Sequence, residues 1–170
     1  MNIADWIEKW ARATPGKVAL RFEGEDVTYP QFNDAIKTGT QLLRTEFGIK
    51  TGDRVAYLGQ NHPQLLAFLF ACARLGAILV PLNWRLAPRE HVGMLRDSGA
   101  TVLFVDEPYV KQCENFDAEL PACRFVAMGA TRHGRWPMLA DLLPGADAED
   151  TPTEIGLDSP LLIIYTSGTT

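Results

Sequence analysis

Apolar side chains recur along this chain in two rhythms: a helical one at every third or fourth position, and short unbroken runs between turn residues. Ile3, Trp6, Ile7 and Trp10 follow the first rhythm and predict an amphipathic helix that Thr14-Pro15-Gly16 ends. Two tryptophans on one stripe are read as core packing. Val18–Phe22 reads as a strand, Glu23-Gly24-Glu25 as a turn, and a short return strand ends near Thr28. Thr28 followed by Gln31 has the form of a capping box, with Pro30 tolerated in the first turn. Phe32, Ile36, Gly39, Leu43 and Phe47 then mark one helical face, stopped by Gly48 and the turn Lys50–Asp53. Gly39 weakens an isolated helix but lets a neighbouring backbone come close.

A repeating unit follows. Val55–Leu58 predicts a strand, Asn61 with Gln64 a helix cap, and Gly76 the end of a helix through Leu75. Ile78–Val80 is the next strand, then a helix from about Pro88 to Asp97, then a strand over Thr101–Val105. A helix between Glu107 and Glu119 and a weaker strand over Phe125–Met128 complete the pattern. The strand starts Val55, Ile78 and Thr101 are 23 residues apart, enough for a strand and its crossover helix. Short apolar runs suit strands covered on both faces. The fold class predicted is therefore α/β, a layered, largely parallel Rossmann-like sheet with right-handed crossovers. Beyond Met128 the reading is a polar turn over 129–135, a short helix within Trp136–Leu143, and a surface connection rich in Pro, Gly and acids over 144–159. Leu161–Tyr165 is a terminal apolar strand that returns to the same body.

Composition sets the class. With 46% apolar and 22% charged residues the chain is globular, and a net charge of −5 gives no case for nucleic acid or an anionic membrane. The longest greasy stretch, Leu65–Ala73, is too short to span a bilayer, and the N-terminus lacks the basic start and apolar run of a signal peptide. Cys72, Cys113 and Cys123 lack metal-ligand spacing and indicate a reducing compartment, so the cytoplasm is expected. Cys72, inside an apolar helical run, is read as buried.

The histidines assemble no site. His62 precedes Pro63 and is read as a cap or an exposed residue, His91 as helix-surface or half-buried, and His133 as part of a polar turn. Asp97, Asp106 and Glu107 are read as helix or strand terminators. No catalytic residue is assigned and the metal ligands are left open. The most chemical segment is Thr166-Ser167-Gly168-Thr169-Thr170, directly after the terminal strand. A strand feeding a Gly, Ser and Thr-rich loop places backbone N–H groups and hydroxyls around a phosphate. Gly168 lets the backbone curl, and a hydroxyl could enter a magnesium ion's shell. On local chemistry an ordinary surface turn remains the alternative, because the usual P-loop Gly and Lys are missing.

Tyr165-Thr166-Ser167-Gly168-Thr169-Thr170 resembles the opening of the phosphate-binding signature of the adenylate-forming (AMP-binding) enzymes, the superfamily of acyl-CoA synthetases, adenylation domains and luciferases. Gly52-Asp53-Arg54-Val55-Ala56 resembles the turn into that family's first Rossmann-like strand. Asn61-His62, Leu75-Gly76-Ala77-Ile78 and Pro81-Leu82-Asn83-Trp84-Arg85-Leu86, with Glu90 after it, are most like the acyl-CoA synthetase branch.

The resemblance implies a two-stage reaction with ATP, Mg2+ and coenzyme A. A carboxylic acid, with a fatty acid as the candidate, forms an acyl-adenylate, and coenzyme A takes the acyl group as a thioester. Thr166, Ser167, Gly168, Thr169 and Thr170 are implied as the first half of the ATP phosphate loop, binding and positioning rather than attacking. Arg85 is implied near the phosphate-bearing end of coenzyme A; its alternatives are a solvated arginine or an ion pair with Glu90. Residues 1–170 are then a partial N-terminal AMP-binding domain: helices and hairpin over 1–48, βα units over 52–128, a connection over 129–160, and a strand with the start of the phosphate loop over 161–170. Such a piece is expected to be inactive alone, with a homodimer entertained for the complete protein. Two other readings stand beside it, a related adenylation enzyme with a different acceptor and a non-catalytic binding protein.

Overall fold

The computed structural model describes residues 3–132, 134, 136–143, 155, 156 and 158–166. They fall into two compact units: one from the described residues of Met1–Gly52, Asn61–Ala77 and Leu143–Leu161, the other from those of Asp53–Gln60, Ile78–Leu142 and Leu162–Thr170.

The first unit holds helix α1 (Ile3–Ala13), the hairpin β1 (Val18–Phe22) and β2 (Glu25–Thr28), helix α2 (Tyr29–Thr45) and helix α3 (Pro63–Leu75). Glu23 at φ 51° and Gly24 at φ 88° make the turn, two positive angles in succession as a tight two-residue hairpin requires. The capping box at α2 forms: the Thr28 N–H donates to Gln31 Oε1 at 2.8 Å and the Gln31 N–H to Thr28 Oγ1 at 3.5 Å. Phe32, Ile36 and Ala67 are buried together, with Ile7, Leu20, Val27 and Phe70 packed on them. A Cβ added at Gly39 would sit 3.5 Å from Ala71 Cβ, so α2 and α3 pack closely there.

Two expectations are corrected in this unit. Trp6 and Trp10 are not core residues; they are 52% and 43% exposed, and only Ile7 of that stripe joins the core cluster. Lys17 Nζ lies 5.5 Å from the Trp10 ring centroid, which supplies a polar reason for that ring to stay at the surface. The α3 cap is His62 rather than Asn61: its Nδ1 accepts from the Gln64 N–H at 3.1 Å. Pro63 explains the shift, since proline favours the first helical position and leaves its extended predecessor as the cap.

The second unit is the sheet. Strands β3 (Arg54–Leu58), β4 (Ile78–Leu82), β5 (Val102–Val105) and β6 (Arg124–Ala127) are all parallel, in the order β4–β3–β5–β6. In register, Val55 lies opposite Leu79 and Val102. β5 is buried throughout, the continuous apolar signature of a parallel strand. Helix α4 (Pro88–Ser98) precedes β5, and Arg54 closes its C-terminus by donating to the carbonyls of Ser98 at 2.8 Å and Gly99 at 3.0 Å.

The segment between β5 and β6 is not one helix. It is two 3-10 turns, Glu107–Tyr109 and Lys111–Cys113, and a single helical turn α5 (Phe116–Glu119). Val110, Cys113 and Phe116 are buried at a three-residue spacing, which matches a 3-10 repeat better than an α-helix. The short helix expected after Trp136 is one turn, α6 (Leu139–Leu142). Leu161–Tyr165 is not a ladder strand either. It makes one parallel bridge, Leu162 to Leu79, with the Ile163 N–H donating to the Leu79 carbonyl at 3.0 Å.

Candidate functional site

The strand order reverses at β3: its sequence successor β4 lies on one side, and the chain then returns to place β5 on the other. Open α/β sheets bind ligands outside the carboxyl ends of their strands at such a reversal. The residues there in the second unit are Gly59 and Gln60 after β3, Asn83, Trp84 and Arg85 after β4, and Asp106 after β5.

Gly59 has no room for a side chain, because a Cβ would lie 2.8 Å from the Tyr57 ring and 2.9 Å from Asp106 Cβ. Burial, and then the charge of Asp106, push the Tyr57 phenol well above its usual range, so it stays neutral. Asp106 accepts from the Glu107 N–H at 2.9 Å and starts the first 3-10 turn. The Gln60 amide donates to the Tyr109 hydroxyl at 3.2 Å, and the Tyr109 ring lies 5.9 Å from that of Trp84. The Arg85 guanidinium stacks 4.4 Å from the Trp84 centroid on the far end of this chain of contacts.

Arg85 itself is exposed. Its backbone N–H donates to Asn83 Oδ1 at 3.1 Å, so a local side-chain turn sets its direction. Glu90, the alternative partner, instead accepts from the Ala87 N–H at 2.8 Å at the start of α4. Among the described residues no carboxylate pairs with Arg85, which leaves a planar fork of donors open to an anion. His91 is a correction: it is 0% exposed, with Nε2 at 2.9 Å from the Asn83 carbonyl.

Thr166 is exposed and follows Tyr165, whose hydroxyl donates to Asp97 Oδ2 at 2.6 Å and lies 3.3 Å from the Met94 carbonyl. Burial and that hydrogen bond raise the Tyr165 phenol above its ordinary value. Ser167, Gly168, Thr169 and Thr170 lie outside the described residues, as does His133. The Arg85 turn enters α4 at its N-terminus, whereas Tyr165 meets α4 at Met94 and Asp97 in its last turns. An α-helix of that length spans about 16 Å at 1.5 Å per residue. Arg85 and Thr166 are thus attached at opposite ends of one helix.

Gln60, Tyr109 and His91 carry no site assignment from sequence, and Trp84 and Tyr165 enter only as parts of motifs. Position alone could have pointed to Gln60 and Trp84, since each follows the end of a parallel strand. A hard cation takes oxygen ligands and shares substrate phosphates, so the Thr166 hydroxyl suits magnesium by chemistry. Among the described residues no group of three or more His, Cys, Asp or Glu side chains gathers to hold a metal, and no helix is long and apolar enough to cross a membrane.

A parallel sheet reversing at β3, with an exposed arginine in the turn after β4 at its carboxyl side, defines an α/β protein of the nucleotide-binding type. The family described as AMP-binding enzyme matches residues 7–170, and the chain belongs to it. Within the family it is most similar to acyl-CoA synthetase and fatty-acid–CoA ligase members. It is 42% identical to the indoleacetate–CoA ligase of Aromatoleum aromaticum over 170 residues, 100% of this chain and 33% of that protein. The structure of the anthranilate CoA ligase AuaEII in complex with anthranoyl-AMP matches with a TM-score of 0.87 at 25% identity, over 100% of this chain and 33% of that one. A fatty acyl CoA synthetase of Mycobacterium tuberculosis matches with a TM-score of 0.84 at 31% identity, over 98% of this chain and 32% of that one. The chain spans about a third of the length of these relatives.

Proposed function

We propose that this chain is the N-terminal part of an ATP-dependent acyl-CoA ligase. The observation that carries the reading is the likeness over the whole chain to the indoleacetate–CoA ligase, supported by the match to a CoA ligase solved with an acyl-AMP. The acid's carboxylate attacks the α-phosphate of ATP and releases pyrophosphate; the coenzyme A thiol then displaces AMP and leaves the acyl group as a thioester. Catalysis of this kind rests on alignment and on neutralising phosphate charge. Thr166, Ser167, Gly168, Thr169 and Thr170 are assigned to the ATP phosphates, where a bound magnesium ion would supply charge neutralisation. Arg85 is assigned to a phosphate at the nucleotide end of coenzyme A, in keeping with its open guanidinium and its Asn83-held turn.

The relatives point to two acid classes to test, aryl or arylalkyl carboxylates and fatty acids. Three buried free thiols support a cytoplasmic setting. A homodimer of the complete protein belongs to the same proposal and is read by light scattering.

The test is pyrophosphate release and thioester formation by the full-length protein with indoleacetate, anthranilate and a long-chain fatty acid. Acid-dependent pyrophosphate release followed by coenzyme A-dependent thioester is expected for at least one class, and no release with any acid overturns the reading. Arg85→Ala is expected to raise the KM for coenzyme A about fivefold, ~1 kcal/mol for an exposed charge-assisted contact, with the KM for ATP unmoved. Adenylate formed but never passed to coenzyme A would favour an enzyme with another acceptor.

A further inference from the structure

His91 is a buried polar residue with one bond and one deficit. Its ring is fully buried, Nε2 meets the Asn83 carbonyl at 2.9 Å, and Nδ1 has no hydrogen-bond partner. A carbonyl only accepts, so that contact assigns a proton to Nε2. A buried ring nitrogen left unpartnered is a net cost to the fold. The Asn83 carbonyl does not need the histidine to be satisfied, because the Leu86 N–H also donates to it at 3.1 Å. Stability alone therefore gives no reason for an imidazole here rather than a leucine, which α4 and its apolar neighbours Val92 and Leu95 would accept.

The bond does something else. It ties the helix to the residue whose side chain sets the Arg85 backbone: His91 to the Asn83 carbonyl, then Asn83 Oδ1 to the Arg85 N–H at 3.1 Å. Glu90, one residue earlier, holds the Ala87 N–H at 2.8 Å on the other side of the turn. The turn 83–87 is thus clamped at both ends by consecutive residues of α4, and the Arg85 fork is stacked on Trp84 between the clamps.

We infer that His91 is a positioning residue for coenzyme A: through Asn83 it fixes the turn that aims Arg85 at the cofactor's phosphate. The inference rests on the assignment of Arg85 made above. Its energetic logic is preorganisation, since an exposed arginine on a loose turn loses entropy on binding that a clamped one has already given up.

The test uses the full-length ligase and three variants. His91→Leu fills the space without the donor, and His91→Gln restores an N–H that reaches a carbonyl. Arg85→Ala reports whether the arginine serves coenzyme A at all. His91→Leu is expected to raise the KM for coenzyme A about threefold to fivefold without lowering the melting temperature, the KM values for ATP and acid staying unchanged. His91→Gln is expected to recover most of that loss. If His91→Leu lowers the melting temperature and moves every kinetic constant together, the residue is structural and the inference fails. It also fails if Arg85→Ala raises the KM for coenzyme A and His91→Leu does not, the Arg85 assignment then surviving alone. If Arg85→Ala leaves that KM unmoved, the Arg85 assignment falls first and the role of His91 falls with it.

Discussion

Tyr165 shows how much one hydroxyl can hold. Its phenol donates to Asp97, across a gap of 68 residues in sequence, just before the segment assigned to the ATP phosphates. Tyr165→Phe is expected to cost about 1 kcal/mol at neutral pH, read as a lower midpoint in urea denaturation. The sign with pH follows from the raised phenol. A folded-state value above the unfolded one near 10 gives stability that is present below that pH and lost as pH rises through the folded value. The difference between wild type and Tyr165→Phe should shrink above pH 10; an equal difference at pH 7 and pH 11 would refute the account. The thiols follow the same sign. Burial pushes Cys113 and Cys123 up to about 12 and Cys72 higher still, so all three should resist alkylation at neutral pH until the chain unfolds. Cys72 was legible as buried because its whole run is apolar. His91 was not, because helical spacing from Leu95 gives its face but not its depth, and its partner Asn83 lies outside the helix. The exposure of Trp6 and Trp10 was equally hidden, since a stripe does not say what covers it.

At the scale of elements, the sheet was legible because each strand carries its own apolar run and the strand starts repeat at an even spacing. The strands β3, β4 and β5 start within one residue of where the 23-residue spacing put them. Where structure depends on a distant partner the sequence was silent. Leu161–Tyr165 has the apolar rhythm of a strand, but a ladder needs a matching edge, and a single bridge to Leu79 is what forms. The stretch after Asp106 misled for a local reason, its burial repeating every three residues. Gly76 was readable as a helix end, and the structure adds why the position demands glycine. It sits at φ +67°, and a Cβ would approach Ile155 Cδ1 to 2.6 Å and Thr51 Cγ2 to 3.0 Å. Gly76→Ala is expected to cost about 2 kcal/mol through the left-handed backbone and the overlap. Thermal unfolding checks it, and an unchanged melting point would mean that the α3 terminus relaxes freely.

For the whole molecule, the family and the fold were legible together, from several ordered motifs rather than from the terminal hexapeptide. The phosphate-loop assignment rests on a resemblance, and of its residues only Thr166 is described. Since the chain spans about a third of its relatives, we expect purified residues 1–170 to give no acyl-CoA with ATP, acid and coenzyme A. Turnover by that polypeptide, free of any longer copy, would overturn the expectation. The order of the sheet has one more consequence. All four of its strands come from the contiguous stretch between Arg54 and Ala127, and the residues that dock on the outer edge of β4 come later. A chain made from its N-terminus therefore has β3 to β6 in hand before Leu162 is synthesised. The newborn polypeptide sets its floor first and then lays Leu162 and Ile163 against it.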